Sequence, residues 1–305
     1  MTDVVLTDAG DADLPAACGL AAQSFDLDLE DAADLPRYVW DQEPGTSRVR
    51  LLAREDGDAV GLLIGTVQGA VAFLDLIAVV PGARNRGIAK RLLTEWEGRA
   101  TAAGATTLKA GENVLGYAWA GVDIRYTPAL CLLIRAGYQR TQVVYNMDLP
   151  LDGFAAPSPA QLERLSAAGI EVRRGEPGDR DALADHVRRL WSDVWLRETL
   201  IAIDRPRPPI FLALRDGAVI GFAAHGVYRP ALYGPIATDP VEQGHGVGNV
   251  LSRLVLADMA ADGVKTAQIG WIAETAIPFY SRTAGARLGR CFWMLAKPTA
   301  GAPAA

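Results

Sequence analysis

The sequence predicts an α/β protein of two tandem domains, each a twisted, mostly antiparallel mixed sheet flanked by helices. Three observations predict it. One loop pattern occurs twice, as Val80-Pro81-Gly82-Ala83-Arg84-Asn85-Arg86-Gly87-Ile88-Ala89 and as Asp239-Pro240-Val241-Glu242-Gln243-Gly244-His245-Gly246-Val247-Gly248, with Gly87 and Gly246 159 positions apart. Each copy follows an apolar, strand-like run and opens an amphipathic helix. The chain has 305 residues, half of them hydrophobic, which suits two domains with separate cores.

The elements follow in order. Residues 61–67 and 70–80 read as strands, and 86–103 as a helix with Ile88, Leu92, Leu93, Trp96 and Ala100 on one face. Residues 107–110 form a short strand. A helix over 128–135 is entered through Pro128 and closed by Gly137, and 140–149 is a strand pair or one long strand. The second half repeats this order: strand 170–173, helix 180–202, a hairpin of 209–214 and 218–225 about Asp216-Gly217, strand 231–238, helix 246–261, strand 266–271, helix 276–283 and strand 288–295. The expected domains are 1–151 and 169–297, with a Pro-containing linker at 152–168 and a mobile tail at 298–305.

The formal net charge of -6 and pI of about 5.2 argue against a nucleic-acid partner, which needs a basic face. Cys18, Cys131 and Cys291 are scattered without metal-ligand spacing and read as reduced core residues of a cytoplasmic protein. No export signal is visible and no stretch suits a bilayer span, so no membrane partner is expected. A loop of small residues at a helix start presents unpaired backbone N–H groups at the positive end of the helix dipole, an arrangement that binds phosphate. A Rossmann fingerprint needs Gly-x-Gly-x-x-Gly, which the first loop lacks. A Walker loop needs Gly-Lys-Ser/Thr, which is absent.

The strand, the Arg/Gln-x-x-Gly-x-Gly/Ala loop and the helix after it resemble the acyl-CoA-binding core of the GNAT superfamily of N-acyltransferases. Both copies match, so the chain resembles a tandem member, an arrangement also found in mycothiol synthase. The resemblance implies acetyl-CoA as cosubstrate. It implies that its pantetheine arm pairs with Ile77, Ala78 and Val79 in one half and with Ile236, Ala237 and Thr238 in the other. The pyrophosphate positions carried over are Arg84, Asn85, Arg86, Gly87, Ile88 and Ala89, and Gln243, Gly244, His245, Gly246, Val247 and Gly248. It also implies an amine that attacks the thioester directly and a tyrosine that protonates the leaving thiolate.

The halves divide these features unevenly. The first loop is strongly basic, yet Leu133 sits where the family usually has tyrosine. The second loop has only His245, yet Tyr280 falls near the tyrosine position, with one extra residue before the glycine. A phenol can give a proton to a thiolate without being ionised at rest. Glu274, after strand 266–271, is the preferred base for the incoming amine, the alternative being a solvated loop carboxylate or a helix cap. Asp75 lies in an apolar strand and is a base, if the first half is active, or a surface-facing or salt-bridged residue; Glu112 has the same ambiguity. Tyr126 and Tyr138 read as packing residues and His186 as structural. His225 either faces the acceptor or packs, and Trp271 is the best exception among tryptophans that read as core.

The expected activity is acetyl transfer from acetyl-CoA to a primary amine of a small molecule, with catalysis in the second half. A catalytically degenerate acyl-CoA sensor or scaffold stays open, as does acetylation of a peptide or protein amine. Acceptor contacts are expected from 24–40 and 191–209. Oligomeric state, a homodimer included, is not readable.

Overall fold

A computed structural model describes residues 3–28, 31–113 and 119–299. The elements of the first half are β1 (Val5–Asp8), α1 (Leu14–Ser24), α2 (Leu35–Tyr38), β2 (Ser47–Glu55), β3 (Asp58–Gln68), β4 (Val71–Val79), α3 (Ile88–Ala102), β5 (Thr107–Ala110), β6 (Val122–Asp123), α4 (Thr127–Arg135) and β7 (Gln139–Pro150). Those of the second are α5 (Pro159–Ala167), β8 (Ile170–Arg174), α6 (Arg180–Leu190), α7 (Asp193–Ile203), β9 (Ile210–Arg215), β10 (Ala218–His225), β11 (Leu232–Thr238), α8 (Val247–Ala261), β12 (Thr266–Ile272), α9 (Ile277–Ala284) and β13 (Arg287–Pro298).

The chain divides into two compact units, though not at the boundary expected at 152–168. One unit takes in residues up to 144 together with the described residues from 291 on, and the other runs from Tyr145 to Arg290. Each division falls inside a long strand, β7 or β13. Of the expected tail, residues 300–305 lie outside the described residues, while Pro298 still belongs to β13 and Thr299 is buried.

In the first unit, β1, β2, β3 and β4 form an antiparallel meander, and β4 pairs in parallel with β5. The far side of β5 is taken by the end of β13, with Leu295 opposite Ala110 and Pro298 opposite Thr107. A local reading of the sequence misses this pairing, because the partners lie in opposite halves of the chain. One face packs on α3 through the apolar row that helical spacing predicts, Ile88, Leu92, Leu93, Trp96 and Ala100, all buried. The other face is covered by α1, α2 and the two residues after α2, through Leu20, Leu35, Val39 and Trp40.

The second unit repeats the plan. Strands β8 to β11 are antiparallel neighbours, β11 pairs in parallel with β12, and the end of β7 completes the far side of β12, with Leu149 opposite Ala267. Helix α8 covers one face through Val247, Val250, Leu251, Val255 and Met259. The other face is covered by α6 and α7 through Leu183, Val187, Ala202 and Ile203. The single helix expected over 180–202 is two. Ser192 breaks it and starts α7, its hydroxyl accepting from the Trp195 N–H at 3.3 Å.

The expected linker is also structured. Ser158 and Gln161 make a reciprocal capping box, and Pro159 is the first residue of α5. Leu165 of this helix is buried in the core of the unit.

Candidate functional site

The two loops have the same backbone. Asn85 and Gly87 take left-handed φ of 62° and 79°, and Gly244 and Gly246 take 88° and 87°. Left-handed backbone at alternate positions, followed at once by a helix, turns successive N–H groups to one side. The first backbone bonds reaching back to the glycines are Arg91 N–H to Gly87 O and Val250 N–H to Gly246 O, both 3.1 Å. The preceding helix N–H groups thus have no acceptor within their own helix. Gly87 is exposed and space opens around it, so glycine is needed there for φ alone. Gly248 comes closer to its surroundings: a Cβ there would stand 3.4 Å from Thr238 Oγ1 and 3.6 Å from the Phe279 ring.

The strand before each loop parts from its parallel neighbour. Strand β4 pairs with β5 only over Val71–Leu74. Beyond that, Ile77, Ala78 and Val79 keep β3 partners Leu63, Leu62 and Gly61, and among the described residues no strand lies on their other side. A bulge opposite Ile64/Gly65 leaves Asp75 as the extra residue. In the second unit β11 pairs with β12 only at Leu232 and Tyr233. There Ile236, Ala237 and Thr238 face Ala223, Phe222 and Gly221 of β10, and a register shift falls beside Gly234. The 159-residue spacing therefore relates the bulge positions Asp75 and Gly234 as well as the glycines. It also relates Glu112 to Trp271, both with positive φ, at the ends of β5 and β12.

The side chains of the loops are less alike. Arg84 is spent on the fold, donating from Nε to Val79 O at 3.0 Å and from Nη2 to Ser24 O at 3.2 Å. Gln243 repeats the first of these bonds, Nε2 to Thr238 O at 3.3 Å. Arg86 is held by both carboxylate oxygens of Glu55. Lys90 and Arg91 remain as exposed cations on the first turns of α3. In the second loop, His245 Nδ1 lies 3.2 Å from Glu242 O, and Glu242 is paired with Arg215.

Tyr280 and Leu133 stand at comparable points of their helix ends, six and five residues before the N–H that each accepts. The residue after the closing glycine donates its N–H to each: Tyr138 to Leu133 O at 3.0 Å, and Ala286 to Tyr280 O at 3.4 Å. Leu133 is fully in the core. Tyr280 is half-buried and packs edge-on against Tyr233, with ring centroids 5.8 Å apart. Burial pushes its hydroxyl up to about 12. Glu274 is exposed, on the short turn that leads into α9.

A family model for the acetyltransferase (GNAT) family matches residues 19–117 and 180–286, one stretch in each half. The chain belongs to the GNAT family. A mycothiol acetyltransferase of Frankia alni (strain DSM 45986 / CECT 9034 / ACN14a) is 31% identical over 213 residues, 62% of this chain; the match spans 59% of that relative's length. A GCN5-related N-acetyltransferase from Sphaerobacter thermophilus superposes with a TM-score of 0.73 at 20% identity, covering 99% of this chain and 97% of that one. A tandem GNAT protein from the clavulanic acid biosynthesis pathway gives a TM-score of 0.69 at 16% identity, over 99% and 100%. The chain is thus a tandem GNAT protein with the mixed, helix-flanked sheets that its sequence predicts.

The geometry fits the family's cosubstrate, acetyl-CoA. Among the described residues, each unit has a strand edge without a neighbouring strand, followed by a loop whose N–H groups open a helix, the kind of surface that takes extended amides and an anion. The remaining candidates are engaged in contacts within the fold. Asp75 is fully buried and bound by Arg48 Nη1 at 2.6 Å, Thr66 Oγ1 at 2.6 Å and Asn113 Nδ2. Burial raises its carboxyl to about 6, against the pull of Arg48, Asn113 and Thr66. Glu112 pairs with Lys109. Tyr126 donates to Asp28 Oδ2 at 2.8 Å and accepts from the Leu27 N–H, tying down the loop after α1. His225 lies 2.9 Å from Asp258, which Arg174 and Arg207 also hold, so it belongs to a buried network. His186 is buried beside Asp239, and burial depresses its basicity. Trp271 donates its N–H to the fully buried Asn146 at 3.1 Å, at a break in the β12–β7 register. No single residue type announces the Asp75 network; the 159-residue repeat is the signal that isolates where the halves differ.

Proposed function

We propose that this protein moves an acetyl group from acetyl-CoA to a primary amine of a small molecule, that the second unit carries the chemistry, and that the first holds acetyl-CoA for architecture or regulation. The observation that carries the reading is the pairing of a bare strand edge and an N–H ring with a half-buried tyrosine in the second unit, against a core leucine at the equivalent point in the first. The mycothiol acetyltransferase relative supports a small-molecule acceptor.

Ile236, Ala237 and Thr238 bind the pantetheine arm, and the loop from Gln243 to Gly248 binds the diphosphate; Ile77 to Val79 and Arg84 to Ala89 do the same in the first unit. The amine nitrogen attacks the thioester carbon, the C–S bond breaks, and Tyr280 gives its proton to the departing thiolate. That phenol, ordinarily ionising near 10 and pushed up to about 12 by burial, carries its proton at neutral pH and can give it up only to a strongly basic group such as the leaving thiolate. Glu274, exposed, takes the amine's proton directly or through water.

Release of free thiol from acetyl-CoA in the presence of an amine panel tests this. Tyr280→Phe is expected to lose about a hundred-fold or more of turnover. Gly87→Glu, which sets an anion in the first loop, is expected to remove one equivalent of bound CoA in calorimetry. Full activity in Tyr280→Phe, with loss only in Gly87→Glu, overturns the assignment of halves.

A further inference from the structure

The second loop has lost every cation of the first. At the 159-residue spacing Arg84, Arg86, Lys90 and Arg91 become Gln243, His245, Asn249 and Val250. A cosubstrate carrying a diphosphate would there meet backbone N–H groups and no fixed positive side chain.

Helix α5 supplies one from outside the loop. Gln161 Nε2 donates to Asn249 Oδ1 at 3.0 Å, and Asn249 stands at the position of Lys90. This bond and the buried Leu165 fix α5 across the first turn of α8. The result brings Arg164 over the loop: its Nη2 lies 3.1 Å from where a Cβ on Gly246 would stand. Nothing approaches Gly87 in the same way. Among the described residues Arg164 has no carboxylate partner, and it sits at the positive end of the α8 dipole, where a cation is disfavoured unless an anion joins it. A guanidinium and a ring of N–H groups facing one space form a site for a doubly charged oxyanion. Helix α5 lies outside both segments matched by the family model.

We propose that Arg164 is the diphosphate-binding cation of the second unit, delivered by the segment between the halves in place of the basic residues that the second loop lacks. The inference rests on the proposed function, since it presumes that the second loop takes acetyl-CoA. Its role is positioning: it holds the cosubstrate and touches no reacting atom.

The test is calorimetry with CoA on the full chain in a Gly87→Glu background, which reads the second loop alone, beside acetyl-CoA kinetics. Arg164→Ala is expected to weaken CoA about ten- to a hundred-fold, the usual worth of a hydrogen bond to a charged group. It is also expected to raise KM for acetyl-CoA while leaving kcat at saturation, and to flatten the salt dependence of binding. Arg164→Lys should recover part of the loss. Acetyl-pantetheine, which has no diphosphate, should be used equally well by wild type and Arg164→Ala; a loss with it as well would mean that α5 is simply displaced and would overturn the proposal. Unchanged or tighter CoA binding in Arg164→Ala would overturn it too, the latter making Arg164 a plug. Either of those results with Tyr280→Phe still inactive leaves the proposed function standing. Absence of CoA binding to the wild type would remove both.

Discussion

Asp75 separates a chemical role from a structural one, and the structure sets the numbers. Its carboxyl has no solvent contact, and the Arg48 side chain beside it is 2% exposed. The ordinary carboxyl value of 3.8 rises to about 6, so burial outweighs the attraction of Arg48. A rise of that size corresponds to roughly 3 kcal/mol against the ionised form. Arg48→Met should therefore leave an uncompensated buried carboxylate and cost about 3–5 kcal/mol. Asp75→Asn should cost nearer 3 kcal/mol, about the lower end of that range, because Arg48 still donates to Asp41 O from Nε and Nη2. The double change removes both charges and should return within about 1 kcal/mol of wild type, because a buried pair seldom repays its desolvation. In a unit of this size the single changes should lower Tm by about 6–20 °C. Thermal melts with hydrogen exchange read at β3 and β4, alongside thiol release, measure this. An Asp75→Asn protein that melts like wild type yet releases no thiol would refute the reasoning, since Asp75 would then act on the substrate.

Two further predictions concern other parts of the chain. Glu198 of α7 is raised from 4.5 to about 7 by burial. Because its folded value exceeds the unfolded one, the stability it contributes is fully present below about 4.5 and lost as pH rises through about 7, with a ceiling of roughly 3 kcal/mol. Tm should thus fall between about pH 5 and pH 7, and Glu198→Gln should flatten that slope and melt higher than wild type at about pH 8; identical profiles would count against the burial. Phe292 is fully buried and stacks on Trp119, centroids 5.6 Å apart. Phe292→Ala should cost about 3–5 kcal/mol, and hydrogen exchange should show the loss at Thr107–Ala110 of the first unit, although Phe292 lies in the last strand of the chain.

What the sequence discloses is what local patterns encode. The apolar row from Ile88 to Ala100, the Asp216-Gly217 hairpin and the paired loops each lie within a short window, and the structure places all of them as read. Ser158-Pro159 is open to the same treatment, since a capping box ending at Gln161 marks a helix start as plainly as the prolines suggest a linker. Ser192 carries a similar signal inside the helix expected over 180–202. The unread parts depend on distance along the chain. Neither the Arg48–Asp75 pair, joined across three strands, nor the place of Arg164 over Gly246 leaves a periodic trace. The correspondence of Tyr280 with Leu133 needs the cap hydrogen bonds, because one residue more separates Tyr280 from its glycine.

The pairing of β5 with β13 also bears on synthesis. Ala110 leaves the ribosome about 180 residues ahead of its partner Leu295, which at ~5–20 residues per second is an interval on the order of ten to forty seconds. Throughout that time the nascent first unit carries an unpaired strand edge, the kind of surface that invites association with other chains. Its closure waits for β13, so a ribosome that stalls anywhere in the second half strands the first half unfinished.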